Sequence, residues 1–158
     1  MFRKLTLIAT AFLALVALHT PAMAEGEMMP FIKGTAASGS VASVSAEVSA
    51  KLTGAGYEIV GNYAPYPTAN IIIFTNDALK AAAAKSEFGG YGVAQRVAIT
   101  DHNGGVQVGY TNPTYMAAAY RMESDLASIT ASLKSTLGDG GEYGPAKGMT
   151  AKQLNGYH

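Results

Sequence analysis

The chain has no cysteine and no tryptophan among its 158 residues, and only 14% of them are charged. The missing thiol excludes disulfides, thiolate nucleophiles, c-type haem attachment and cysteine-ligated metal sites, and it leaves nothing to carry a lipoprotein anchor. The fold must therefore be held by apolar packing. Charge of either sign is scarce: 11 Lys and Arg stand against 11 Asp and Glu, a formal net charge of zero. No basic patch is visible, which argues against nucleic acid or an anionic membrane surface as partner. Long apolar runs are absent from the body of the chain, and the one such run lies at its start.

That run is the most informative stretch. Arg3 and Lys4 precede an apolar segment over residues 5–18, and Pro21-Ala22-Met23-Ala24 supplies the small-x-small pattern that signal peptidase reads. This is a signal-peptide pattern. It is too short for a membrane span, which takes ~20 apolar residues. The expectation is cleavage after Ala24 and a periplasmic or secreted protein with no membrane association afterwards. The mature chain would have 134 residues (158 less 24) and nine basic residues (11 less Arg3 and Lys4) against eleven acidic ones. That is one domain's length, with enough chain for a real core.

Beyond the leader, the pattern divides into an irregular segment at 25–40, a single α+β domain at 41–137, and a Gly-rich loop with a short helix at 138–158. The last helix, over about 151–155, is short for stable docking, as at the end of a fragment. Val41, Val44, Val48 and Leu52 recur at helical spacing, predicting a helix over 41–53 that Gly54 and Gly56 stop. Residues 57–63 read as a strand, and 64–67 as a turn because Pro65 and Pro67 cannot donate to a ladder. Residues 71–74 are wholly apolar, as in a strand central in the sheet or buried on both faces.

Asn76 and Asp77 open a helix that runs to about residue 86. Strands at 96–100 and 106–110 flank Asn103-Gly104, a strong hairpin signal. Asn112-Pro113 opens the next helix with Asn112 as its side-chain cap. Ser124 is expected to cap another helix, and Thr150 the last one. The expected core draws Ile59, Ile71, Ile73, Val97, Ile99 and Val108 from the strands, and Val44, Val48, Leu52, Leu79, Leu126, Ile129 and Leu133 from helices. Paired strands separated by helices predict an α+β fold with a mainly antiparallel sheet.

Three stretches resemble a bacterial family, the domain of unknown function 302. Residues 52–59 carry helix end, glycine and strand, and residues 71–76 an apolar strand with an Asn-containing turn into a helix. The most specific match is residues 96–121, RVAITDHNGGVQVGYTNPTYMAAAYR, which is similar to the family's hairpin followed by an Asn/Asp-Pro helix start. The resemblance implies a TATA-binding-protein-like fold, a curved antiparallel sheet with helices packed on one face. It implies no activity. Many members carry a cysteine near the second helix; residues 88–95 stand there instead, so no cysteine role transfers.

The chemistry-bearing residues are few. Asp101-His102 is the one acid–imidazole pair; it suits general-base work, but Asp and Asn are ordinary residues of a solvated turn. Gly89-Gly90-Tyr91-Gly92 lacks the Lys-Ser/Thr of a phosphate loop. No catalytic residue, metal site or cofactor is assigned. The tyrosines carry more, because a flat ring with a hydroxyl suits a ligand pocket or a protein interface. The expected ligand-binding set is Tyr63, Tyr66, Phe88, Tyr91 and Tyr115 in one concave site. Pro65 and Pro67 would stiffen one wall, and Gly89, Gly90 and Gly92 would leave the other free to close.

The functional expectation is a non-catalytic module that binds a small apolar or aromatic ligand, or a protein partner. Two alternatives stand beside it. One is a cofactor-independent enzyme using Asp101, His102 or a tyrosine as acid or base. The other is a structural module that forms a homo-oligomer through a sheet edge.

Overall fold

Ser40 shows how local sequence sets the first helix. In the computed structural model, which describes residues 26–156, Ser40 Oγ accepts from the Ser43 N–H at 3.1 Å while Ser43 Oγ accepts from the Ser40 N–H at 3.0 Å. These two bonds satisfy N–H groups that a helix start otherwise leaves bare. Helix α1 (Val41–Gly54) buries Val44, Ser45, Val48 and Leu52. The expected signal peptide at residues 1–24, and His158, lie outside the described residues.

Gly56, at φ +84°, turns the chain into strand β2 (Glu58–Tyr66), which pairs with β3 (Ala69–Thr75). The expected turn at 64–67 is shorter than its prolines suggested. Pro65 remains within β2, where the register slips between Tyr63 and Tyr66. β2 is an edge strand, and there a missing N–H breaks no essential ladder bond. Asn76 Oδ1 accepts from the Leu79 N–H at 2.8 Å and caps α2 (Asp77–Ala83). A short 3₁₀ turn (Gly89–Gly92) leads to β4 (Gln95–His102) and β5 (Gly105–Thr111). Asn103 and Gly104 join them at φ +51° and +79°, the two left-handed positions of a two-residue hairpin turn.

Helices α3 (Pro113–Ala119) and α4 (Ala127–Leu137) follow, then strand β6 (Glu142–Tyr143) and helix α5 (Ala151–Asn155). The sheet is six-stranded, open and antiparallel at every pairing, in the order β2-β3-β4-β5-β1-β6. Strand β1 (Phe31–Lys33) arises from the 25–40 segment, expected to be irregular with residues 28–33 extended, and β6 from the 138–158 loop. Three and two residues are too few to show alternation, so only their pairing reveals them, β1 with β5 and β6 with β1.

The helices cover one face of the sheet. Ile32, Ile72, Phe74, Val97, Ile99, Val106, Val108 and Tyr110 face Val44, Val48, Leu52, Leu79, Ala117, Ile129, Leu133 and Leu137. This corrects the expected core in one strand. Ile72 and Phe74 are its buried residues, whereas Ile71 and Ile73 are half-buried on the opposite face. A uniform apolar run has no alternation to say which parity points inward.

Two helix starts also differ from expectation. Asn112 makes no side-chain cap. It is fully buried; its Nδ2 donates to the Met29 carbonyl at 3.0 Å, and its backbone N–H donates to the Pro30 carbonyl at 2.9 Å. Asn112 therefore ties the N-terminal segment to the end of β5. Ser124 does not cap α4 either. Leu126 precedes that helix at φ +55°, and Asp125 Oδ1 accepts from the Ala127 N–H at 2.9 Å.

Candidate functional site

The sheet face without helices holds the site. Strand register places two neighbouring rows of side chains on it. One row runs Ile73, Arg96, Thr111, Phe31, Tyr143, and the other Tyr63, Ile71, Ala98, Gly109, Lys33. Ala98, Gly109 and Thr111 are small residues at adjoining positions of the two rows. Ala98, Gly109 and Thr111 make a floor; Ile71 stands on the β3 side and Phe31 with Tyr143 on the β6 side. The result is a trough of about 340 Å³ lined by Phe31, Ile71, Arg96, Ala98, Gly109, Thr111 and Tyr143.

Tyr143 shows why the floor needs glycine. A Cβ on Gly109 would collide with the Tyr143 hydroxyl and sit 3.2 Å from its Cζ. The phenol thus lies across Gly109, and burial raises its pKa above the ordinary 10.0. The Phe31 ring packs against it with centroids 5.6 Å apart, and Lys33 Nζ stands 5.8 Å from its ring centre. These contacts join β1 to β6 and build the aromatic wall.

The polar groups beneath the floor are already engaged. Thr111 Oγ1 donates to Gln95 Oε1 at 2.7 Å and accepts from the Arg96 N–H at 3.2 Å. Gln95 Nε2 donates to the Gly92 carbonyl at 3.0 Å, and Thr75 Oγ1 to the Val93 carbonyl at 2.7 Å. This buried network fastens the Gly89–Gly92 segment to the sheet and leaves the trough mainly apolar. Arg96 is exposed, and its guanidinium has no ion-pair partner among the described residues.

The five aromatic residues expected to share a site do not converge. Tyr63 and Tyr66 are 60% and 68% exposed on the edge strand β2. Tyr63 adjoins Ile71 at the margin of the open face, while Tyr66 borders a separate cleft of about 470 Å³ between β2 and α1. The Phe88 ring lies 4.7 Å from the Arg121 guanidinium carbon. Tyr91 is 72% exposed and stacks on Tyr120, with centroids 5.5 Å apart. Tyr115 directs its hydroxyl at Met149 Sδ, 3.9 Å away. Chain position grouped these rings, but each packs against different neighbours.

Residues that sequence reasoning missed form the trough instead. Their signal was partly present: with Val97, Ile99 and Val108 inward, Arg96, Ala98 and Gly109 must face outward. The aromatic wall had no such signal.

Asp101 and His102 are exposed at the end of β4, on successive positions whose side chains leave opposite faces. His102 Nε2 lies 3.1 Å from Asn103 Nδ2. Among the described residues, no three of His, Asp and Glu gather as metal ligands would, and no helix is long and apolar enough to cross a membrane.

No protein-family model matches this chain, and no curated protein matches it. Its structure is similar to the crystal structure of the uncharacterized conserved protein DUF302 from Bacillus stearothermophilus, with a TM-score of 0.61. The likeness covers 69% of this chain and 96% of that one at 15% identity. At that identity it shows the shared α+β fold, in agreement with the resemblance read from residues 52–121.

Proposed function

We propose that this protein is an exported, non-catalytic module whose open sheet face binds a small apolar or aromatic molecule. The observation that carries the reading is the trough itself. Small residues at the centre of two cross-strand rows leave space between Ile71 and the Phe31–Tyr143 wall. A concave apolar surface with few polar groups is the usual form of a small-molecule site. The leader pattern of residues 1–24 supports the exported compartment.

The binding test is a titration with a neutral aromatic probe, 2-naphthamide, followed by backbone amide NMR. Shifts confined to Phe31, Ala98, Gly109 and Tyr143 are expected. Shifts centred on Tyr91 and Tyr120, or none, overturn the reading. For export, the periplasmic product should begin at Glu25; a product that retains Met1 removes that part.

A further inference from the structure

We infer that the trough takes an aromatic or alicyclic carboxylate, with its ring over Ala98 between Ile71 and the Tyr143 phenol and its carboxylate on the Arg96 guanidinium. This rests on the reading of the trough as a binding site and names the ligand's charge. Three observations carry it.

The first is the sign of the charge around the trough. Arg96 lines it, Lys33 stands against the Tyr143 ring, and no Asp or Glu lines it. The nearby carboxylates are occupied elsewhere. Glu142, next to Tyr143, accepts from the Met29 N–H at 2.8 Å, and Glu58 at the far end of β2 pairs with Lys80 at 2.7 Å. The trough is thus lined by one cation, flanked by a second and lined by no carboxylate.

The second is that Arg96 has no ion-pair partner among the described residues, although its backbone N–H is held by Thr111 Oγ1 at 3.2 Å. Its base is thus fixed in the sheet while its planar fork is open to a carboxylate, the group it matches with two parallel hydrogen bonds. The third is the shape of the floor. Ala98 leaves room for a ring face beside Ile71, and the Tyr143 phenol lying across Gly109, with Phe31 against it, supplies an aromatic flank. A neutral ring would use the floor and flank only; a ring acid also uses the cation.

The experiment compares 2-naphthoate with 2-naphthamide, which share the ring and differ in charge. Isothermal titration should show the acid binding at least about tenfold more tightly, a difference of about 1.4 kcal/mol. Arg96→Gln should erase that preference, so that the acid binds no more tightly than the amide. Lys85→Gln, which removes an equal charge from the end of α2, should leave the preference intact. Equal affinities in the parent protein, or a preference that survives in an Arg96→Gln/Lys33→Gln double variant, would overturn the inference while the apolar site stands. Failure of both compounds to bind removes the site and the inference together.

Discussion

Strands β4 and β5 present two unlike faces from one backbone. Toward the helices they offer Val97, Ile99, Val106, Val108 and Tyr110, none more than 5% exposed. On the other side the same strands offer Arg96, Ala98, Gly109 and Thr111. The first set is large, mostly β-branched and interlocked with α1 and α4, so it removes much apolar surface from water. Apart from Arg96 the second set is small, and its space is bounded by a wall from β1 and β6. The difference teaches a division of labour: stability resides on the covered face, and the open face is free to carry shape and charge.

The sharpest test of that division uses neighbours on β3. Ile72→Ala, on the covered face at 0% exposure, should cost about 2–5 kcal/mol in urea unfolding. Ile71→Ala should cost clearly less and should instead weaken binding of 2-naphthamide. Equal stability losses would break the comparison, because both faces would then be core.

Asn112→Ala tests the tie between the N-terminal segment, which supplies β1, and the end of β5. It removes the donor to the half-buried Met29 carbonyl, at a cost of about 1–3 kcal/mol. The cost is moderated because Asn112 Oδ1 is itself buried without a partner among the described residues. Amide exchange in β1 should accelerate in this variant. Unchanged exchange would show that β1 is held by its ladder to β5 alone.

Tyrosine titration sharpens the contrast further. Burial raises the pKa of Tyr57, Tyr110 and Tyr143 above the ordinary 10.0, with the negative charge of Asp139 adding to the rise at Tyr110. The folded protein therefore keeps phenol protons that the unfolded chain releases. Their contribution is fully present below about pH 10 and is lost as pH rises above it. Unfolding midpoints should fall between about pH 9 and about pH 11, spanning the ordinary tyrosine value. Tyr110→Phe should flatten that fall more than Tyr143→Phe, since Tyr110 is the more strongly shifted and faces the helices. At neutral pH Tyr110→Phe should also cost about 1 kcal/mol for the lost 2.7 Å bond from its hydroxyl to the Gly138 carbonyl.

The smallest stability effect is expected at Gly109. Replacing glycine with alanine in a strand restricts the unfolded chain, a gain of about 0.4–1 kcal/mol that offsets the displacement of Tyr143 from its place over the floor. Gly109→Ala should therefore unfold almost as the parent does, yet show an altered near-ultraviolet tyrosine signal and weaker 2-naphthamide binding. A large loss of stability would mean that the Tyr143 contact belongs to the core after all.

Much of the covered face was legible in the chain. Helical spacing at Val44, Val48 and Leu52, the Asn76 cap and the Asn103-Gly104 hairpin are local features, and local physics places them correctly. The expected binding set was grouped by residue type and by nearness in the chain. Tyr91 and Tyr115 find partners in Tyr120 and Met149 rather than in each other. Asn112 carried the right residue type for a cap, but a carbonyl 83 positions away offers its side chain a buried bond instead.

By itself the sequence determined the class of fold, the identity of most strands and helices, and the inward parity of β4 and β5. These follow from periodicity, capping and turn chemistry, which act over a few residues. Tertiary structure alone decided which side of Ile71–Ile72–Ile73–Phe74 faces the helices, and that Phe31–Lys33 pairs beside β5 with Glu142–Tyr143 beyond it at the edge of the sheet. A uniform apolar run and strands of two or three residues hold no internal signal. Their place is set by the partners they pair with, and the trough exists only after that pairing is made.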